Sequence, residues 1–116
     1  MTAEENARLS HKIGHSCASA VFTAFADQMG ITNEEAERLA PAPRSEGGKC
    51  GAFLAGRKVL EQLMPEQVDT YVSRFEALNC STICAVLVAS HSRLHKRCND
   101  YVGDAARICQ EILSGR

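Results

Sequence analysis

Apolar residues in the first 29 positions recur four apart, at Leu9, Ile13, Cys17, Val21 and Phe25, with Ala20 and Ala24 at the three-spaced positions. That period is the amphipathic helix pattern and excludes the alternation of a half-buried strand. Gly14 interrupts it at a cost of about 1 kcal/mol relative to alanine, so a kink or a helix junction is expected there. Gly30 is expected to stop the element. Thr32-Asn33-Glu34-Glu35 reads as a capping box opening a short helix to about Leu39, which Pro41 and Pro43 end. Residues 41–49 form the one clear loop.

The rest of the chain continues in the same period. A helix over about Cys50 to Met64 carries Cys50, Phe53, Gly56, Leu60 and Leu63 on one face. Pro65 suits the first turn of the next helix, whose stripe is Val68, Val72, Phe75 and Leu78, with Tyr71 beside it. A junction is expected at residues 79–81, where Ser81 can cap a short helix with Ile83, Cys84 and Leu87. The final helix reaches about Leu113 and turns Cys98, Val102, Ala105, Cys109 and Ile112 inward. No segment reads as a strand and none repeats. The expectation is one all-α domain over residues 1–116, a compact bundle of four to six helices.

Thirteen Lys/Arg against fourteen Asp/Glu give a net charge of −1. A nucleic-acid surface would show a basic excess, so nucleic acid is not an expected partner. No apolar run approaches the roughly 20 residues of a membrane span, and the polar start Met1-Thr2-Ala3-Glu4-Glu5-Asn6 lacks the form of a secretory leader. A soluble, cytoplasmic chain without membrane contact is expected. A domain this small buries limited surface by itself, which leaves a homodimer open.

Six cysteines, at 17, 50, 80, 84, 98 and 109, are then many. In a reducing cytosol they are expected to do redox work, ligate metal or fill the core. Cys50 is the sharpest of them. It follows Gly47-Gly48-Lys49 and opens a helix, where unpaired N–H groups and the macrodipole favour a thiolate, so a lowered pKa is expected. Gly51 lies beside it, and Ala52 and Gly56 give a small face that a helix or ligand can approach. Gly51 and Gly56 are therefore candidate cofactor-binding positions. Cys17, Cys98 and Cys109 sit on apolar stripes, where core burial is the simpler reading. Cys80 and Cys84 share a face only if both are helical. No CxxC and no CxxCH occurs. His11/His15 and His91/His95 are each spaced i,i+4, and a helix beginning before His91 would align His91, His95 and Cys98 as three zinc-type ligands. Solvated or capping histidines are the simpler reading of both pairs.

Ser16-Cys17-Ala18-Ser19-Ala20-Val21, Cys50-Gly51-Ala52-Phe53-Leu54-Ala55-Gly56, Ser81-Thr82-Ile83-Cys84, and Cys98 with Tyr101-Val102 and Ala105-Ala106 together resemble the family of putative redox-active proteins named for a C-GCAxxG-C-C cysteine pattern. The resemblance spans about residues 10–113. It implies an α-helical protein with Cys17, Cys50, Cys84 and Cys98 as signature cysteines. These four are the candidate catalytic residues and, equally, the candidate metal ligands. The activity it implies is that of a thiol- or metal-dependent oxidoreductase. Two chemistries stay open: ligation of zinc or an iron–sulfur cluster, and dithiol–disulfide exchange with Cys50 attacking and Cys17 or Cys84 resolving. The expected partner is a redox partner or a small-molecule ligand. The alternative is a non-catalytic helical binding module with the cysteines as structural core residues.

Overall fold

The structure, a computed structural model, describes residues 2–90 and 96–115. Its helices are α1 (Ala3–Lys12), α2 (Cys17–Ala24), α3 (Ala26–Met29), α4 (Asn33–Leu39), the single turn α5 (Ser45–Gly48), α6 (Gly51–Leu63), α7 (Val68–Asn79), α8 (Cys84–Ala89) and α9 (Cys98–Ser114), with a 3₁₀ turn at Pro65–Gln67 before α7. Six have seven or more residues and make the bundle. The fold is all-α. The described residues contain no strand, and the one β-type pairing is an isolated antiparallel bridge between Lys49 and Ile83. None of the described helices is long and apolar enough to cross a membrane.

Local capping defines most helix starts. Thr2 with Glu5 and Thr32 with Glu35 form complete capping boxes at α1 and α4. Ser16, whose role was not read from the sequence, accepts from the Ser19 N–H at 3.1 Å and opens α2 at Cys17. Ser16→Ala is expected to cost about 1 kcal/mol. Urea unfolding measures it, and a change below about 0.3 kcal/mol would show that α2 is held by packing alone.

The break at Gly14, where φ is +115°, is sharper than a kink and ends α1 at Lys12. It separates two helical registers, so the continuous stripe expected from Leu9 to Phe25 does not form. Leu9 is 48% and Ile13 70% exposed, while α1 instead buries Ala3 and Ala7. The small face of α1 lets it lie against α9, where Arg8 passes over Gly103 and pairs with Asp100 at 2.9 Å. A similar correction holds for α7. Its buried face is Tyr71, Phe75 and Asn79, whereas Val68 and Val72 are half-buried and Leu78 is exposed.

α6 is the centre of the bundle. Every residue from Gly51 to Gly56 is buried, because glycine and alanine let α2, α7 and α9 pack close around it. The Tyr71 hydroxyl donates to the Phe53 carbonyl at 2.8 Å, in space that a Cβ on Gly56 would occupy. Phe53, Tyr71 and Phe75 cluster at centroid separations of 5.2–6.4 Å, Phe53 stacked on Tyr71 and Phe75 tilted against both. At the other end, the Tyr101 hydroxyl of α9 donates to the Leu87 carbonyl of α8 at 3.1 Å. Lys96 donates to Asn79 and to the buried Asp104, each at 2.7 Å, and so holds the approach to α9.

Candidate functional site

Four of the six cysteines stand at helix starts. Cys17, Cys84 and Cys98 are the first residues of α2, α8 and α9, and Cys50 is the N-cap residue of α6. The sequence reading recognised this only for Cys50 and Cys84. The missed signal at Cys17 is the preceding Ser16, a good N-cap. All four line one cavity of about 160 Å³. Leu87, Val88 and Tyr101 supply apolar wall, and the exposed Pro43 and Arg44 form its solvent side.

Backbone pairing brings the distant segments together. The Cys50 N–H donates to the Thr82 carbonyl at 2.7 Å, beside the Lys49–Ile83 bridge, which sets α6 and α8 start to start. Gly51 lines the cavity, and the space its missing side chain leaves is taken by the chain itself. A Cβ there would lie 2.6 Å from Cys17 Sγ and 3.1 Å from Pro43 Cβ.

The thiols are graded in depth: Cys50 is 7% exposed, Cys17 and Cys84 are half-buried, and Cys98 is exposed. Burial dominates their acidity. The Phe53 and Ala52 N–H groups favour a Cys50 thiolate, as its position at a helix start requires. Burial outweighs them, and with the charges of Cys17 and Cys84 pushes this thiol up to about 12. The lowered pKa expected for Cys50 is therefore corrected, because removing water costs the anion more than two amides return. Burial also raises Cys17, although the Ala52 and Ala18 N–H groups oppose it, and burial followed by the charge on Cys84 raises Cys98. An ionised Cys84 acts on all three other thiols, so it is electrically coupled to every member of the cluster.

The family described as "Putative redox-active protein (C_GCAxxG_C_C)" has a model that matches residues 15–112. The chain belongs to this family. The matched span contains all four cavity cysteines. No curated protein and no solved structure matches the chain.

The other expected site residues lie elsewhere. Gly56 does not border the cavity; it faces the Tyr71 hydroxyl, and its carbonyl accepts from the buried Cys109 thiol at 3.3 Å. Cys80 is an exposed residue in left-handed conformation closing α7. The Lys49 ammonium donates to the Glu46 carbonyl. His11 and His15 are parted by the end of α1, His11 meeting Asn99 at 3.1 Å and His15 meeting Glu37 at 3.2 Å. His91 and His95, the other expected members of a column with Cys98, lie outside the described residues, and α9 begins at Cys98.

Four thiols around one cavity have the donor chemistry for zinc or an iron–sulfur cluster. Among the described residues, however, no three His, Cys, Asp or Glu side chains are grouped to hold one ion. The sulfurs as they stand share a wall but do not form a ligand set.

Proposed function

We propose that the cavity carries out dithiol–disulfide exchange, with Cys98 as the entry thiol and Cys84 as its resolving partner. The observation that supports this is the depth gradient of four thiols on one cavity, from exposed Cys98 to buried Cys50. Exchange needs a sulfur that substrate can reach and a second sulfur behind it, rather than simultaneous ligation by several sulfurs.

The Cys98 thiolate attacks one sulfur of a substrate disulfide. A Cys98–substrate S–S bond forms, the substrate bond breaks, and the departing sulfur leaves as a thiolate that takes a proton from water. Cys84, whose charge is felt at Cys98, then attacks Cys98 Sγ. The intramolecular disulfide forms and the second substrate sulfur leaves as a thiol. The protein loses two electrons and two protons, and the substrate disulfide gains both. Entry at Cys98 departs from the sequence reading, which gave the attack to Cys50. A buried thiol held near 12 has too little thiolate and too little access to be the entry point.

Thiol counting tests the proposal. Reduced protein treated with 2-hydroxyethyl disulfide is expected to lose two of its six thiols reversibly, and peptide mapping is expected to find a Cys84–Cys98 link. Cys98→Ser is expected to slow the loss at least about a hundredfold, the entry sulfur being gone. A count that stays at six, or a first link between other cysteines, contradicts the assignment.

A further inference from the structure

The geometry points to Arg44 as the residue that selects small disulfides carrying a carboxylate near their sulfurs, at the solvent side of the thiol cavity. The inference rests on the exchange reading above and names the substrate class for it. Arg44 lines the cavity and is the one charged side chain to do so among the described residues. Arg8, Arg57, Arg74 and Arg107 each pair with a carboxylate, whereas Arg44 has no such partner among the described residues. No carboxylate among those residues lines the cavity either.

The loop fixes the backbone of this residue at a conformational cost. Arg44 has φ +64°, a left-handed conformation unfavourable for a non-glycine residue. Its N–H donates to the Lys49 carbonyl at 2.9 Å and its own carbonyl accepts from Gly48 at 3.1 Å. Glu46, also left-handed, is held by Arg57 at 2.5 Å, and Gly47 and Gly48 complete the turn without side-chain strain. The turn therefore ends at Lys49 with Cys50 in the cavity and Arg44 beside it.

A guanidinium recognises carboxylates bidentately through its planar fork, and at the solvent side of the cavity it stands where the acid end of a disulfide would lie while its sulfurs reach the thiols. The volume limits the ligand. At about 160 Å³ the cavity lies below the roughly 300–1,000 Å³ of drug-sized pockets, so a short acid fits better than a large cofactor.

The experiment compares dithiodiglycolate, 2-hydroxyethyl disulfide and cystamine, which carry anionic, neutral and cationic ends. Each reacts with reduced wild-type protein, Arg44→Asn and Arg44→Lys. Asparagine tolerates the left-handed backbone, and lysine keeps the charge without the fork. The expected result is a rate ratio of dithiodiglycolate to hydroxyethyl disulfide that falls about tenfold in Arg44→Asn and less in Arg44→Lys, with cystamine slowest in wild type. An unchanged ratio overturns the inference. A second readout does not need exchange: the rate of iodoacetate relative to iodoacetamide at Cys98, read by mass spectrometry. If no disulfide reacts but this ratio still falls about tenfold in Arg44→Asn, the exchange reading fails and anion recognition by Arg44 stands. If neither ratio responds, the assignment of Arg44 is wrong.

Discussion

At pH 8, iodoacetamide is expected to modify Cys50 at least about a hundredfold more slowly than the same cysteine in denaturant-unfolded protein. The reason is the thiolate population. Moving the thiol from its ordinary 9.0 to about 12 cuts the thiolate fraction about a thousandfold at this pH. The more basic thiolate is intrinsically more nucleophilic, which returns about tenfold, and 7% exposure restricts approach further. A time course of alkylation followed by peptide mapping gives the rate. A native-state rate within tenfold of the unfolded one would mean that the helix-start amides, rather than burial, control this sulfur. The same shift has a consequence for stability. The raised pKa means that the folded state holds a proton the unfolded state has already released. The contribution is therefore complete below pH 9, and it declines as pH rises from there through 12. Cys109, buried and raised in the same direction, adds to the decline. Denaturation midpoints measured from pH 7 to pH 11 should fall on the alkaline side.

Tyr71→Ala is expected to destabilise the protein by about 3–5 kcal/mol. Tyr71 is fully buried, stacks 5.6 Å from Phe53, and donates its hydroxyl to the Phe53 carbonyl within the helix that Cys50 caps. Truncation removes that ring, leaves a void against Gly56, and deprives a buried carbonyl of a donor. Neighbouring aromatics cannot collapse into the space without leaving their own contacts. Guanidinium unfolding monitored by circular dichroism provides the measurement. A loss below about 1 kcal/mol would show that the Phe53–Tyr71–Phe75 cluster does not hold α6 to α7. Tyr71→Phe keeps the ring and is expected to cost about 1 kcal/mol, which separates the hydrogen bond from the packing.

Short-range rules made much of the bundle legible. The Thr32–Glu35 capping box, the left-handed stop at Gly30 and the small face of α6 were all readable, because each depends on residues within a turn of one another. The register across Gly14 was not. Leu9 and Ile13 keep the four-residue spacing, yet a rotation at one glycine turns them to solvent and gives the packing face of α1 to Ala3 and Ala7. Val68, Val72 and Leu78 show the same limit. Tyr71 wins the buried side of α7 because Gly56, fifteen residues earlier in the chain, leaves room for its hydroxyl.

The candidate site divides in the same way. The four cysteines that line the cavity are the ones the family resemblance singles out by their order along the chain and by the motif around Cys50, whereas helix-start signals marked only Cys50 and Cys84. Their meeting on one cavity, the buried and protonated state of Cys50, and the arrival of Arg44 beside them were decided by tertiary structure. Proton affinity at a buried sulfur depends on how much water the surrounding chain removes, and that chain comes from α2, α6, α8 and α9 together. No window of neighbouring residues contains that sum.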